Sequence, residues 1–194
     1  LGLRYLADYI GDSIISASFQ EFYLKNNLKY AKSDDFKKIV SSKTTKDISW
    51  FFEDYLKTTK KIDYTIKKAI IKDDSVYVTI KNKRNMTAPV ALYGLKNKQV
   101  KFKKWLTNID STKTIAIPKN GFNRVSLNFE NSYPEFNSMD NWKKVGKNIL
   151  NKPIQFKLYK DINDPYYHQI YLQPNIKYNF YDGALLGLRI HNRP

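Results

Sequence analysis

The stretch Asp47–Asn82, DISWFFEDYLKTTKKIDYTIKKAIIKDDSVYVTIKN, changes its hydrophobic period partway along. In its first part Ile48, Phe52, Tyr55 and Leu56 share one face of a helix that starts at Asp47, and Trp50 and Phe51 widen that face. In its second part Ile62, Tyr64 and Ile66 alternate with polar residues, Asp73-Asp74-Ser75 turns the chain, and Val76, Val78 and Ile80 alternate again. Apolar residues recurring about every 3.6 positions mark a helix face, and a period of 2 marks a half-buried strand. Residues 62–82 therefore read as a β-hairpin following directly on a helix, with helices before this junction and strands after it.

Upstream, Leu3, Leu6 and Ile10 lie on one helical face, and Gly11 ends that turn with Asp12 or Ser13 placed to cap the next. Ile15, Phe19, Phe22 and Tyr23 continue the pattern to about Leu28. Ser33-Asp34-Asp35 opens a third helix carrying Phe36, Ile39 and Val40, because side-chain oxygens accept orphan amides and carboxylates favour the positive helix end. With the Asp47 helix, four short helices are expected by about residue 58. The chain opens within an amphipathic pattern, Leu1-Gly2-Leu3-Arg4-Tyr5-Leu6, with neither Met nor cap, and so reads as a fragment.

Downstream, strands are expected at 89–95, 98–106, 113–117 and 122–129, a spacing that suggests a small antiparallel sandwich. Residues 131–165 are less regular, broken by Tyr133-Pro134, Lys152-Pro153 and Asp164-Pro165. Ile170, Leu172, Ile176, Tyr178 and Phe180 then take strand-like spacing, Asp182-Gly183 supplies a hairpin turn, and Leu186, Leu188 and Ile190 alternate beyond it.

Composition sets limits on chemistry. The chain has no cysteine, which excludes disulfides, thiolate zinc sites, iron–sulfur ligation and thiol nucleophiles within it. Lys and Arg outnumber Asp and Glu by 34 to 18, for a net charge of +16. That balance raises nucleic acid or an anionic membrane as partners. Only five of the basic residues are Arg, the side chain suited to bidentate phosphate and guanine contacts, and the Lys excess comes with 18 Asn. The composition therefore points away from a nucleic-acid binder.

The residue types needed for a catalytic centre do not converge. His168 and His191 are the only histidines, both in the strand-like tail, and they lack the helical spacing of an H-E-x-x-H zinc site. The pairs Asp34/Asp35, Glu53/Asp54 and Asp73/Asp74 are adjacent in sequence, so on a helix they diverge by about 100° and read as caps, solvated faces or turns. Lys96, Lys98, Lys101, Lys103 and Lys104 surround Val100 and Phe102; they form either a single-strand-binding patch or a lysine-guarded sheet edge, and the edge is the better reading. Trp50, Phe51 and Phe52 are a sugar platform or, on the better reading, core. The sequence assigns no catalytic, cofactor-binding or metal-ligating residue to this chain.

Several segments together resemble gluzincin, thermolysin-like zinc aminopeptidases. They are Leu6-Ala7-Asp8-Tyr9-Ile10-Gly11-Asp12, Phe19-Gln20-Glu21-Phe22-Tyr23, Ser33-Asp34-Asp35-Phe36 and, most specifically, Asp47-Ile48-Ser49-Trp50-Phe51-Phe52-Glu53-Asp54-Tyr55-Leu56. Tyr133-Pro134-Glu135-Phe136-Asn137 and Asp140-Asn141-Trp142 are similar to that family's closing segment. The resemblance covers residues 1–142 and implies a zinc peptidase whose metal ligands, general base and transition-state tyrosine lie upstream, so none transfers to this sequence. Residues 153–194 look like a connection into an outer-membrane β-barrel, whose strands alternate and whose rims carry tyrosines.

The expected fold is α+β, with a short N-terminal helical segment, an antiparallel immunoglobulin-like β-sandwich and a strand-rich tail. The expected units are 1–60 (the helical end of an aminopeptidase-like catalytic domain), 61–142 (the sandwich) and 143–194 (a linker and first hairpin towards a barrel). The resemblance implies a non-catalytic C-terminal scaffold in the cell envelope, outer membrane or facing the periplasm. Its partners would be an upstream catalytic domain and a membrane β-barrel, with zinc and a peptide substrate belonging to the parent protein. A free-standing sandwich that binds protein or glycan, and a basic nucleic-acid-binding domain, are the competing readings.

Overall fold

The computed structural model describes residues 1–146, 151–159 and 161–192, so the expected linker at 143–194 lies partly outside the described residues. Three α-helices open the chain: α1 (Gly2–Ile10), α2 (Asp12–Asn26) and α3 (Ser33–Lys43). Gly11 divides the first two with φ 118, a value that an L side chain rarely adopts, while its amide donates to Ala7 O at 2.7 Å. At α3 the amide of Lys32 donates to Asp35 Oδ2 at 3.0 Å, so the cap sits one residue before Ser33 and the third helical residue closes it.

The fourth expected helix is a π-helical turn, Trp50–Tyr55, in which Leu56 N donates to Phe51 O, five residues back. The correction has a packing cause. The π turn buries Trp50, Phe51 and Phe52 together, Trp50 against Tyr5 and Phe52 towards Phe36, and leaves the expected face residue Leu56 exposed. The α2 face also departs from expectation: Ile15 is buried, but Phe19, Tyr23 and Leu24 are 41%, 66% and 76% exposed.

Two antiparallel sheets follow. One has the order β1 (Tyr64–Lys72), β2 (Ser75–Asn82), β5 (Thr112–Pro118); the other has the order β4 (Gln99–Leu106), β3 (Val90–Lys96), β6 (Arg124–Leu127), β7 (Trp142–Lys144). Strands thus leave one sheet and return to it later, as in an immunoglobulin-like sandwich. On β2 Val76, Val78 and Ile80 are fully buried and Tyr77 is exposed, the period of 2 made visible. Each such aliphatic burial contributes about 1.5–3 kcal/mol. Val90 and Leu92 of β3 join the same cluster as Tyr5, Leu6 and Trp50, so helices and sandwich share one core.

The third sheet, in the order β10 (Gly183–His191), β9 (His168–Asn179), β8 (Ile154–Leu158), was only half legible. The β9–β10 hairpin matches expectation, with Gly183 at φ 71 closing a loop opposite Asn179. Strand β8 pairs in parallel with β9, an arrangement with no local signal.

Gly94 sits mid-sheet, between Phe102 on β4 and Val125 on β6, and a Cβ there would lie 2.6 Å from Phe122 Cδ1. Gly94→Ala is expected to lower stability by about 1–3 kcal/mol, because the buried Phe122 ring must leave its place. A urea midpoint that falls at unchanged slope, and recovers in Gly94→Ala/Phe122→Leu, would establish the clash; an unmoved midpoint would refute it.

Candidate functional site

The segment Tyr133–Trp142 runs beside the start of β1 and, with Asp63, Lys83 and Arg84, gathers several partly hidden charges. Phe136 N donates to Ile62 O at 2.9 Å, and both Ile66 N and Thr65 Oγ1 reach Asp140 O. Glu135 joins the two strips: its Oε1 accepts from Tyr64 N at 2.8 Å and its Oε2 from Asn141 Nδ2 at 2.5 Å. Burial pushes the Glu135 carboxyl up to about 8, against the pull of those two donors, and the carboxylates of Asp63 and Asp140 add to the rise. Asp63 is buried, with Lys83 at 3.6 Å and Arg84 at 3.5 Å, and Asp140 holds Lys83 at 3.0 Å. Around Glu135 stand Tyr5, Tyr64 and Tyr133, all buried. Burial raises the Tyr64 hydroxyl to about 12, and that hydroxyl donates to Ala88 O. The polar atoms here answer backbone groups of neighbouring strands, so the arrangement is a brace.

Beside it lies a cleft of about 430 Å³ lined by Thr65, Lys67, Asp140, Trp142, Lys152 and His168. Lys152 is 4% exposed and donates to Met139 O. Burial lowers its amine to about 8, with Asp140 pulling it back up.

The candidates from the sequence are dispersed. His168 opens β9 opposite Ile154, and His191 closes β10 opposite Tyr171, on whose ring it stacks at 5.5 Å. Among the described residues no group of three His, Asp or Glu is placed to hold a metal ion. Asp35 closes a helix cap and Asp73 occupies a turn at φ 53. Glu53 accepts from Lys37 and Lys57, which hold it down at about 2, while Asp54 pairs with Lys60, so these two carboxylates diverge. Trp50, Phe51 and Phe52 are 6%, 2% and 2% exposed and belong to the core.

The lysine run spans the end of β3 (Lys96), the turn (Lys98) and the edge strand β4 (Lys101, Lys103 and Lys104), where the adjacent Lys103 and Lys104 fall on opposite faces by alternation. Lys103 bridges Asp8 and Glu130 at 2.7 Å each; these bonds outweigh burial and hold its amine above the ordinary range. Lys98 lies over the Tyr166 ring at 4.6 Å. On the sandwich Phe136 is exposed with Arg84 over its ring at 3.9 Å, and Tyr77 is exposed on β2. Glu135 is the charged residue that sequence reasoning missed, quoted there only as part of a packing segment; its sole signal was a carboxylate between aromatic residues.

These features define a class: a short helical layer on an immunoglobulin-like sandwich, followed by a small mixed sheet. No protein-family model matches the chain, and no curated protein does. Among solved structures it is similar to the crystal structure of Legionella pneumophila aminopeptidase A in complex with aspartic acid, at 16% identity and TM-score 0.54. The likeness covers 66% of this chain and 16% of that chain, so the shared element is a fold carried by a small part of a larger enzyme.

Proposed function

We propose that this chain is the non-catalytic C-terminal scaffold portion of a zinc aminopeptidase-like cell-envelope protein. The observation that carries the proposal is the fold likeness to one portion of an aminopeptidase. The surface of α2 supports it: Phe19, Tyr23 and Leu24 are exposed in consecutive turns, and Leu28 and Tyr30 just beyond are 100% and 87% exposed. Several large apolar side chains exposed on one short segment are what a contact surface presents. In this reading residues 1–60 brace an upstream catalytic domain, residues 61–142 pack beside it, and residues 143–194 lead towards an outer-membrane β-barrel. Zinc, general base and peptide site would belong to the upstream part.

The test is the intact mass of the native protein, captured with an antibody raised to this chain, together with the reading frame before Leu1. A species well above 22.9 kDa, whose frame carries H-E-x-x-H and a downstream Glu, is the expected result. A native protein of 22.9 kDa would end the aminopeptidase reading. In the larger protein, Tyr23→Asp/Leu24→Asp is expected to lower the thermal midpoint by roughly 4 °C or more, as loss of a buried interface would; in the chain alone the pair should change little.

A further inference from the structure

The sheet of β8, β9 and β10 is amphipathic in the sense opposite to a soluble layer. The register puts Phe156 beside Ile170, and Leu158 beside Leu172, on one face. Across the hairpin the same face continues with Ile190 opposite Leu172, Leu188 opposite Pro174, and Leu186 opposite Ile176. Every one of these residues is apolar, yet Phe156, Leu158, Ile176 and Leu186 are 67%, 69%, 73% and 82% exposed. The other face is mostly polar: Gln155, Lys157, Gln169, Gln173, Lys177 and Arg189 fall there by alternation, with Leu185, opposite Lys177, its exposed apolar exception. Its base is the covered side, where Gln169 and Tyr171 are 5% and 0% exposed and bond to each other at 2.9 Å. A soluble sheet turns its apolar face inwards; this one turns it out.

We propose that this outward face lies against the acyl chains of an anionic lipid bilayer, with the polar face turned away from lipid. The inference rests on the envelope part of the proposal above and on none of its peptidase part. Three observations select lipid as the occupant. Strand β10 is 9 residues long, within the about 9–11 residues with which a tilted strand crosses hydrocarbon, and β9 runs alongside it for that length beyond its covered start at Gln169. The hairpin tip carries Tyr178, Phe180 and Tyr181, at 79%, 87% and 91% exposure, and so ends the apolar band in an aromatic rim as membrane sheets do. The net charge of +16 complements anionic headgroups and opposes self-association. Backbone groups at a sheet edge cannot enter hydrocarbon unpaired, so adjoining strands must add at the outer edge of β10 and along β9 beyond Leu172, where the pairing with β8 ends, when the face meets lipid.

The chain has no cysteine, so single-cysteine variants carry one label each. Leu188→Cys and Ile176→Cys report the apolar face; Arg189→Cys and Lys177→Cys report the polar face one residue away. All four positions are exposed, so the labels leave the packed core alone. Each labelled protein is reconstituted by detergent dilution into phosphatidylcholine/phosphatidylglycerol vesicles with brominated acyl chains. Quenching at Leu188→Cys and Ile176→Cys roughly threefold or more above that at their neighbours is expected, since only one face of such a sheet meets lipid. Equal quenching on both faces, or none, overturns the proposal. Vesicle attachment that 0.5 M salt abolishes, without acyl quenching, overturns it in favour of headgroup adsorption alone (about the concentration at which surface charge is screened within a few ångströms). A label on Leu188→Cys that is protected before lipid is added, with a dimer in sedimentation equilibrium, overturns it in favour of a second copy. One-sided quenching in a protein whose native frame lacks the zinc motif sinks the peptidase reading and keeps this one; unquenched faces in an envelope-fractionating protein whose frame carries the motif sink this one and keep the peptidase reading.

Discussion

Tyr5→Ala is expected to destabilise the chain by about 4 kcal/mol, within the range for truncating a fully buried aromatic. Tyr5 has no exposed surface, and its ring centroid stands 4.6 Å from that of Trp50 and 4.4 Å from that of Tyr133. One neighbour comes from the π turn and the other from the segment beside β1, so the ring fills the seam between helices and sandwich. Neither neighbour can collapse into the space, because Trp50 is held by Phe51 and Tyr55 and Tyr133 lies under the Glu135 brace. The hydroxyl adds a second contribution by donating to Pro89 O, just before β3. Tyr5→Phe isolates it, and stranding a buried carbonyl should cost about 1–3 kcal/mol by itself. Urea unfolding followed at once by far-UV circular dichroism and Trp fluorescence decides the matter. A single transition shifted for both variants, more for Ala, is expected; separate helix and sheet transitions in the wild type would show that the layers do not share a core, and midpoints shifted by less than about 0.5 kcal/mol would show that the seam is not filled by Tyr5.

What could be read from the sequence follows the distance over which each signal acts. Strands β1 to β6 were legible because alternation such as Val76, Val78 and Ile80 is a local consequence of burying one face. The turn at Trp50–Tyr55 was legible as a helix but not as a π turn, because three adjacent aromatics satisfy a helical pattern whatever the backbone bonding; their rings face Tyr5 and Phe36 from other helices. Strand β7 has three residues and β8 pairs in parallel, so neither carries a periodic or turn signal of its own. The tail hairpin was legible as strands, but alternation does not say which face is covered. The Glu135 site was least visible: its environment is made by Tyr64 and Asn141, brought to it by tertiary pairing.

That environment makes Glu135 the main source of pH dependence to test. Its folded value, about 8, lies above its ordinary value of 4.5. Between those values the folded chain holds a proton that the unfolded chain has released, so the stability that Glu135 contributes is whole below about pH 4.5 and is lost as pH rises to about 8. The full interval would correspond to more than 4 kcal/mol, and allowing for water entry and relaxation the loss should be on the order of 2–3 kcal/mol. Glu135→Gln removes the titration while keeping the shape. One amide end can still accept from Tyr64 N, and if the Asn141 amide turns over, its Oδ1, a buried atom without a hydrogen-bond partner, accepts from the new NH₂. Wild type and variant should therefore be close in stability at pH 5, with the variant ahead by about 2 kcal/mol at pH 9. Lys152 titrates in the same region with the opposite sign: its folded value is lowered to about 8, so its contribution recovers as pH rises from there towards 10.5. Because Lys152 is present in both proteins, the difference between their urea-derived stabilities at each pH isolates Glu135. A difference that grows from pH 5 to pH 8 and then levels assigns the buried proton to Glu135. A flat difference would mean that the carboxylate stays ionised beside Tyr64 and Asn141, and that those two donors outweigh burial.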